Sequence, residues 1–431
     1  MYRSSLTRII TTVATAVAVV LTTQGLAGRN QAAPGPEPSR PHWVSTWTSM
    51  PQLTEPGNLP PAPFTQPDRV LADSTLRQTI RVSVGGRQLR LRFSNAFGTT
   101  ALPISAASLA LPAGGQAGVS AIQPGTAHPV TFNGRTAATV PTGAQIVSDP
   151  VSIDPEARSN LTVTIYLAAG QASNNITSHP GSRTTSYLVK GNQVDATDLS
   201  DPTPVNHWYF LSGAETVSAR DAAGVVMLGD SLTDGRGSTT NQNNRWPDQL
   251  LDRLQSRPNT AGIAILNQAA GGNRVLNNGL GPNVLSRVDR DVLAQTRVDW
   301  LIVFVGINDI GSAATTEAGR QQVVDDLIAA YQQIIVRAHA HDLRVYGATL
   351  LPFGGNGYDD VGGYHEAARV AVNEWIRTSG QFDAVVDFEA AVRDPANPRM
   401  LLPAFDDGDH LHLTPAGYKA LADAVPARLF H

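Results

Sequence analysis

The chain predicts two structural classes in series. An all-β sandwich or jelly-roll-like domain is expected over residues 42–215. An α/β domain with a doubly wound, five-stranded parallel sheet is expected over residues 220–431. Three observations predict this. Apolar residues in the first half alternate with period two. In the second half, short apolar runs alternate with segments of helical spacing, which is the βαβ order of a parallel sheet. A chain of 431 residues also exceeds what one hydrophobic core usually serves.

Composition narrows the function classes. A net charge of −4 leaves no footprint for nucleic acid or an anionic membrane. With no cysteine, disulfides, thiolate metal sites and cysteine nucleophiles are excluded. At the N-terminus, Arg3 and Arg8 precede an apolar run over residues 9–21, and Gly25, Leu26 and Ala27 offer small residues for cleavage. Residues 1–27 therefore read as an export signal and the protein as secreted. The other reading is an uncleaved anchor, for which the run is short. Residues 28–41 read as a stiff Pro-rich linker. No later stretch is long enough to span a membrane.

In the first half, Leu76, Ile80, Val82 and Val84 share one face, with Arg77, Thr79 and Arg81 on the other. Gly85-Gly86 follows, then Leu89, Leu91 and Phe93 alternate with Arg90 and Arg92, so a β-hairpin about the glycine pair is expected. Leu161, Val163, Ile165 and Leu167 repeat the alternation. The outward arginines read as a solvated strand face. Trp43, Trp47, Trp208 and Tyr209 bracket the domain; they are read as packing residues, with a sugar-stacking platform as the other use.

In the second half, strands are expected at residues 225–228, 263–266, 300–305, 345–350 and 384–388. Helices are expected at 246–254, 317–340, 365–379 and 415–429. The run at 300–305 is apolar on both faces, as a central parallel strand requires. The residues with chemistry follow strand ends: Ser231 in Gly229-Asp230-Ser231-Leu232, then Asn267 with Gly271 and Gly272, then Gly306 to Asp309, and finally Asp409 to His412 before the last helix. The carboxyl ends of parallel strands share one rim, so these blocks converge.

These four blocks, in this order, resemble the SGNH hydrolases, also called GDSL esterases or lipases. Gly229-Asp230-Ser231-Leu232 matches the family's nucleophile block, Asn267 with Gly272 its second, Gly306 to Asp309 its third, and Asp409 with His412 and Gly417 its last. The resemblance covers about half the chain and implies a flavodoxin-like sheet. The all-β half is similar, more loosely, to the N-terminal extension of some secreted actinobacterial GDSL proteins. The chemistry runs in parallel. A serine hydroxyl needs a base, which His412 supplies, and Asp409 orients the imidazole. The Ser231 and Gly272 N–H groups and the Asn308 amide are three donors for an oxyanion.

Alternatives stand beside several of these. Gly271 competes with Gly272 as the donor. Asn308 suits a loop cap, and Asp309 reads as holding its loop rather than reacting. Asp407 and His410 share the Asp-x-x-His spacing, although His412 stands five residues before Gly417 as the family pattern has it. His339, His341 and His365 are expected at the surface. Asp406, Asp407, Asp409, His410 and His412 are metal-ligand types without a second cluster, so neither metal nor cofactor is expected. The Gly-rich loop at 352–364, with Tyr358 and Tyr364, reads as either a mobile pocket wall or a plain surface loop. The expected function is hydrolysis of a carboxylic ester, on a small molecule or a glycan, through an acyl-enzyme. A polysaccharide O-acetyl esterase is the runner-up, and a non-catalytic surface-binding protein is the reading of another class.

Overall fold

Five parallel strands form the central sheet, in the spatial order Ile263–Asn267, Ala223–Gly229, Val298–Phe304, Arg344–Ala348, Ala384–Val386. The computed structural model describes residues 41–218 and 221–430. The expected export signal and nearly all of the linker lie outside the described residues. The sheet order reverses beside Ala223–Gly229, and the crevice at such a reversal is where open α/β sheets bind ligands. Val225, Val226, Met227 and Leu228 are all fully buried, because helices cover both faces of a doubly wound sheet. Trp246–Gln255 packs with Pro415–Ala424, and Glu317–His339 with Tyr364–Thr378. Thr316 and Thr414 cap the second and last of these elements in chain order, each accepting a backbone N–H at the third helical position.

Two of the ends that differ from expectation have a local cause. The strand at Ala384 stops at Val386 because Asp387 caps a short helix, Phe388–Val392, accepting from the Ala390 N–H. The last helix stops at Ala424, before Pro426, and a separate 3-10 turn, Ala427–Phe430, follows.

The first half is largely antiparallel β. One sheet orders His42–Thr48, Leu211–Ser218, Leu89–Ser94 and Gln145–Val147. The other centres on Ser74–Arg81 and Asn160–Leu167. Leu76 and Ile80 of the second sheet share a core with Leu89, Leu91 and Phe93 of the first, which makes a sandwich. The expected hairpin is absent: Ser74–Arg81 and Leu89–Ser94 lie in different sheets. The glycine pair is a crossing point, not a hairpin turn. A Cβ on Gly85 would meet Pro155 O at 2.3 Å, and one on Gly86 would meet Val217 O at 2.2 Å. Alternation alone says that two strands bury one face, not that they pair.

The arginines are not a solvated face either. Arg77 is fully buried and donates to Thr164 Oγ1, Ser120 O and Ala196 O. Arg90 and Arg92 both grip the buried Glu215, which also accepts from Thr296 Oγ1 of the α/β half. Stripping a buried carboxylate of such partners costs roughly 3–5 kcal/mol. Arg81 reaches Asp252 at 2.7 Å on helix Trp246–Gln255. The described parts of the two halves accordingly belong to one compact unit. Ser83 caps the free edge of the parallel sheet: its Oγ accepts from Ile265 N at 3.1 Å and donates to Ile265 O at 2.9 Å. Val44 and Val84 lie in the α/β core rather than the sandwich core. Trp47 stacks edge-on against Trp208 at 5.0 Å, and both are buried with Tyr209, so these rings are packing residues.

Candidate active site

The strand Ala223–Gly229 delivers Ser231 to the rim. Asp230 leaves the strand in an extended conformation and caps the short helix Ser231–Asp234, accepting from Leu232 N at 3.0 Å. Full burial pushes the Asp230 carboxyl up to about 7, against the Leu232 hydrogen bond. Ser231 is the first residue of that helix, and its side chain faces a cleft of about 630 Å³.

His412 meets it there. Ser231 Oγ lies 2.7 Å from His412 Nε2, and His412 Nδ1 lies 2.7 Å from Asp409 Oδ2. The loop carrying both is closed at its base by pairing of Asp406 with Leu413, which folds the Asp-x-x-His turn back on itself. Asp409 Oδ1 also accepts the Leu411 and His412 backbone N–H groups. Partial burial opposes ionisation of Asp409, but these hydrogen bonds outweigh it and hold the carboxyl at about 2. Burial lowers the His412 pKa, with the Asp409 hydrogen bond pulling the other way. A neutral imidazole with a proton fixed on Nδ1 has a free lone pair on Nε2, the state of a general base. The rival pair does not form. His410 Nδ1 lies 2.6 Å from Asp406 Oδ2, turned away from Asp407.

Gly272 and Asn308 complete the rim. Gly271 and Gly272 both line the cleft, but only Gly272 takes a positive φ, of 68°. Gly306 has φ 139°, and a Cβ there would sit 2.4 Å from the Tyr331 hydroxyl, so only glycine lets the strand Val298–Phe304 turn into the helix Ile307–Gly311 that presents Asn308. Asn308 donates one amide hydrogen to Asn273 O at 2.9 Å, and its Oδ1 accepts from the Tyr358 hydroxyl at 2.8 Å. Both contacts orient the amide and leave its second N–H for another acceptor. Asp309 holds not its own loop but the one after the strand Ile263–Asn267, accepting from Val275 N and Leu276 N. Ser231 with His412, Asp409 and an oriented amide is an arrangement able to attack a carbonyl and bind the resulting oxyanion.

Residues 227–420 match the family model described as GDSL-like Lipase/Acylhydrolase family. The α/β half of the chain belongs to that family. It is a carboxylic ester hydrolase domain. Among solved structures, an acetyl xylan esterase, AlAXEase, is 19% identical over 47% of this chain and 96% of its own, with a TM-score of 0.35. An acetylxylan esterase from Geobacillus stearothermophilus is 22% identical over 47% of this chain and 91% of its own, also with a TM-score of 0.35. No curated protein matches the chain.

The GDSL-like domain does not build its cleft alone, and sequence reading missed this. Gln52, Glu55, Asn58, His179 and Arg183 of the β half line the same cleft as Ser231. His179 is buried, with Nε2 2.9 Å from Asp234 Oδ1 and Nδ1 3.0 Å from Met50 O, so the β half grips the turn after Ser231. Arg287 was missed as well. It is buried and donates to Gln268 O, Asn273 Oδ1 and Gly229 O, tying the ends of two strands together. No local pattern singles out either residue. His365 is not at the surface: it is buried, with Nδ1 2.8 Å from Tyr358 O and Nε2 3.1 Å from Ala313 O. The loop at 352–364 is thereby clamped over Asn308, helped by Asn356, which donates to Asp409 O at 2.7 Å. Among the described residues, no helix is long and apolar enough to cross a membrane.

Proposed function

We propose that the protein is a serine esterase working through an acyl-enzyme. The observation that carries this reading is the continuous Ser231–His412–Asp409 hydrogen-bond chain, with both distances 2.7 Å. His412 takes the Ser231 proton as Oγ attacks the ester carbonyl, then returns it to the departing alcohol oxygen. Water repeats the sequence on the acyl-enzyme and frees the acid. Asp409 stays ionised and stabilises the imidazolium. The Ser231 and Gly272 N–H groups and Asn308 Nδ2 receive the oxyanion. A second reading, an O-acetyl esterase of polysaccharides, is favoured by the polar side chains that the β half brings to the cleft: Gln52, Asn58 and Arg183 suit a sugar alcohol.

The Asn308 role is tested by two variants. Asn308→Ala is expected to lower kcat roughly 10²–10³-fold with KM nearly constant, because the donor contributes mainly as charge develops. Tyr358→Phe removes only the hydroxyl that orients the Asn308 carbonyl, and a smaller kcat loss of about tenfold is expected. A folded Asn308→Ala enzyme with wild-type kcat removes Asn308 from the site.

Export is part of the proposal. Mature protein recovered outside the cell is expected to begin between Gly28 and Pro34. N-terminal sequencing that finds Met1 on the secreted protein contradicts it.

A further inference from the structure

We propose that an apolar groove built by both halves of the chain, adjoining the cleft that holds Ser231, is the subsite for a medium-length unbranched acyl chain. The proposal rests on the reading of Ser231 as the ester-cleaving nucleophile and names the substrate class of that site. The groove is about 620 Å³ and is lined by Leu53, Pro56, Leu59 and Phe97 of the β half and by Pro282 of the α/β half. It adjoins the catalytic cleft. Glu55 lines both, and the segment that carries Leu280 on the cleft wall continues as Gly281 and Pro282 on the groove wall. Leu280 lies directly over Gly272: a Cβ built on that glycine would be 2.6 Å from Leu280 Cδ1.

The exposure of these side chains needs an occupant. Leu53 is 44% exposed and Leu280 55%, and they are two of only six large exposed hydrophobics among the described residues. Leu280 on the cleft wall and Leu53 in the adjoining groove put exposed apolar surface on both sides of the junction between them. The groove is also preformed. Leu53 is paired in register with Thr177, and Asn273 Nδ2 holds the far wall by donating to Pro282 O at 2.7 Å. Phe97 is backed by the Arg290 guanidinium, 5.1 Å from its ring centre.

The chemistry of the tetrahedral intermediate sets the direction. Its carbon carries Ser231 Oγ, the oxyanion, the leaving oxygen and the acyl carbon. The leaving oxygen must receive a proton from His412 Nε2, so the alcohol departs on the His412 side, beside Leu411 and Arg236. The acyl chain then has two ways out. One passes His179, Arg183 and Asp234, charged or polar groups that an alkyl chain would strip of solvent at a cost. The other passes Gly272 and Leu280 into the groove; Glu55 stands at the junction, but both its carboxylate oxygens already accept, from Gln52 Nε2 and Asn58 Nδ2.

The test uses the full chain and two ester series. In the first, p-nitrophenyl acetate, butyrate and octanoate vary only the acyl group. In the second, acetate esters of ethanol and octanol vary only the alcohol. In the acyl series kcat/KM is expected to rise roughly twofold per methylene, half the gain of a fully buried chain, or about 60-fold from acetate to octanoate. The alcohol series is expected to stay flat. Leu53→Asp is expected to lower octanoate hydrolysis about tenfold and leave acetate hydrolysis unchanged, while Leu53→Met restores the wild-type profile. Leu53→Gln gives the same comparison if the charged variant does not fold, with acetate turnover reporting the fold. A flat or falling acyl profile in an enzyme that cleaves acetate overturns the groove and leaves the esterase reading standing. So does a rise in the alcohol series alone, or an equal loss on all esters in the folded Leu53 variants. An enzyme inert on every ester, acetate included, overturns both.

Discussion

Ser231→Ala is expected to lower ester turnover by about 10⁵–10⁶, the scale on which a serine hydrolase loses its nucleophile. The fold is expected to survive. The hydroxyl sits on a cleft wall, and its hydrogen bond to His412 Nε2 is the contact removed. Cβ remains, and the Asp230 cap on Leu232 N does not involve the side chain of Ser231. A stability change within about 0.5 kcal/mol corresponds to a melting shift of about 2 °C or less in a unit of this size. Calorimetry beside a p-nitrophenyl ester assay reads both. Turnover near wild type in a folded variant sinks the assignment.

His412→Ala is expected to cost about as much, because serine and base act as a unit. His410→Ala is expected to retain activity within about threefold. His410 turns away from the cleft toward Asp406, and Asp406 keeps the Gly408 and His410 backbone N–H groups when the imidazole is gone. The reverse result would move the base to His410. The wild-type pH profile provides a second readout. In the proposed mechanism hydrolysis needs neutral His412, so kcat/KM is expected to fall as pH drops through the His412 pKa. Burial lowers that pKa below the usual value of about 6.5, so the acid limb is expected to have its midpoint below 6.5. A limb centred above 6.5 contradicts a buried, neutral base.

The sequence by itself determined the parallel sheet and the local blocks. An apolar run such as Val225–Leu228 is readable because a strand covered on both faces leaves no polar position. Ser231 and the Asp409–His412 turn are readable because their contacts are set by neighbours in the chain: a cap two residues away, and a carboxylate meeting a ring three residues on. The choice between His410 and His412 was also open to a spacing argument, for the same local reason. What depended on distant segments was not readable. The period-two pattern at Gly85-Gly86 predicted a hairpin, but alternation records which face is buried and not which strand is the partner, and the two strands went to different sheets. The arginines on the strands looked solvated because Glu215, Asp252 and Thr164, which hold them, lie between 87 and 171 residues away. The same limit hid the orienting hydroxyl of Tyr358, the grip of His179 on Asp234, and the joint cleft. A hydrogen bond across 50 residues or more leaves no trace in local composition or period. Only the packing of the sandwich against the parallel sheet decides which side chains meet at Ser231.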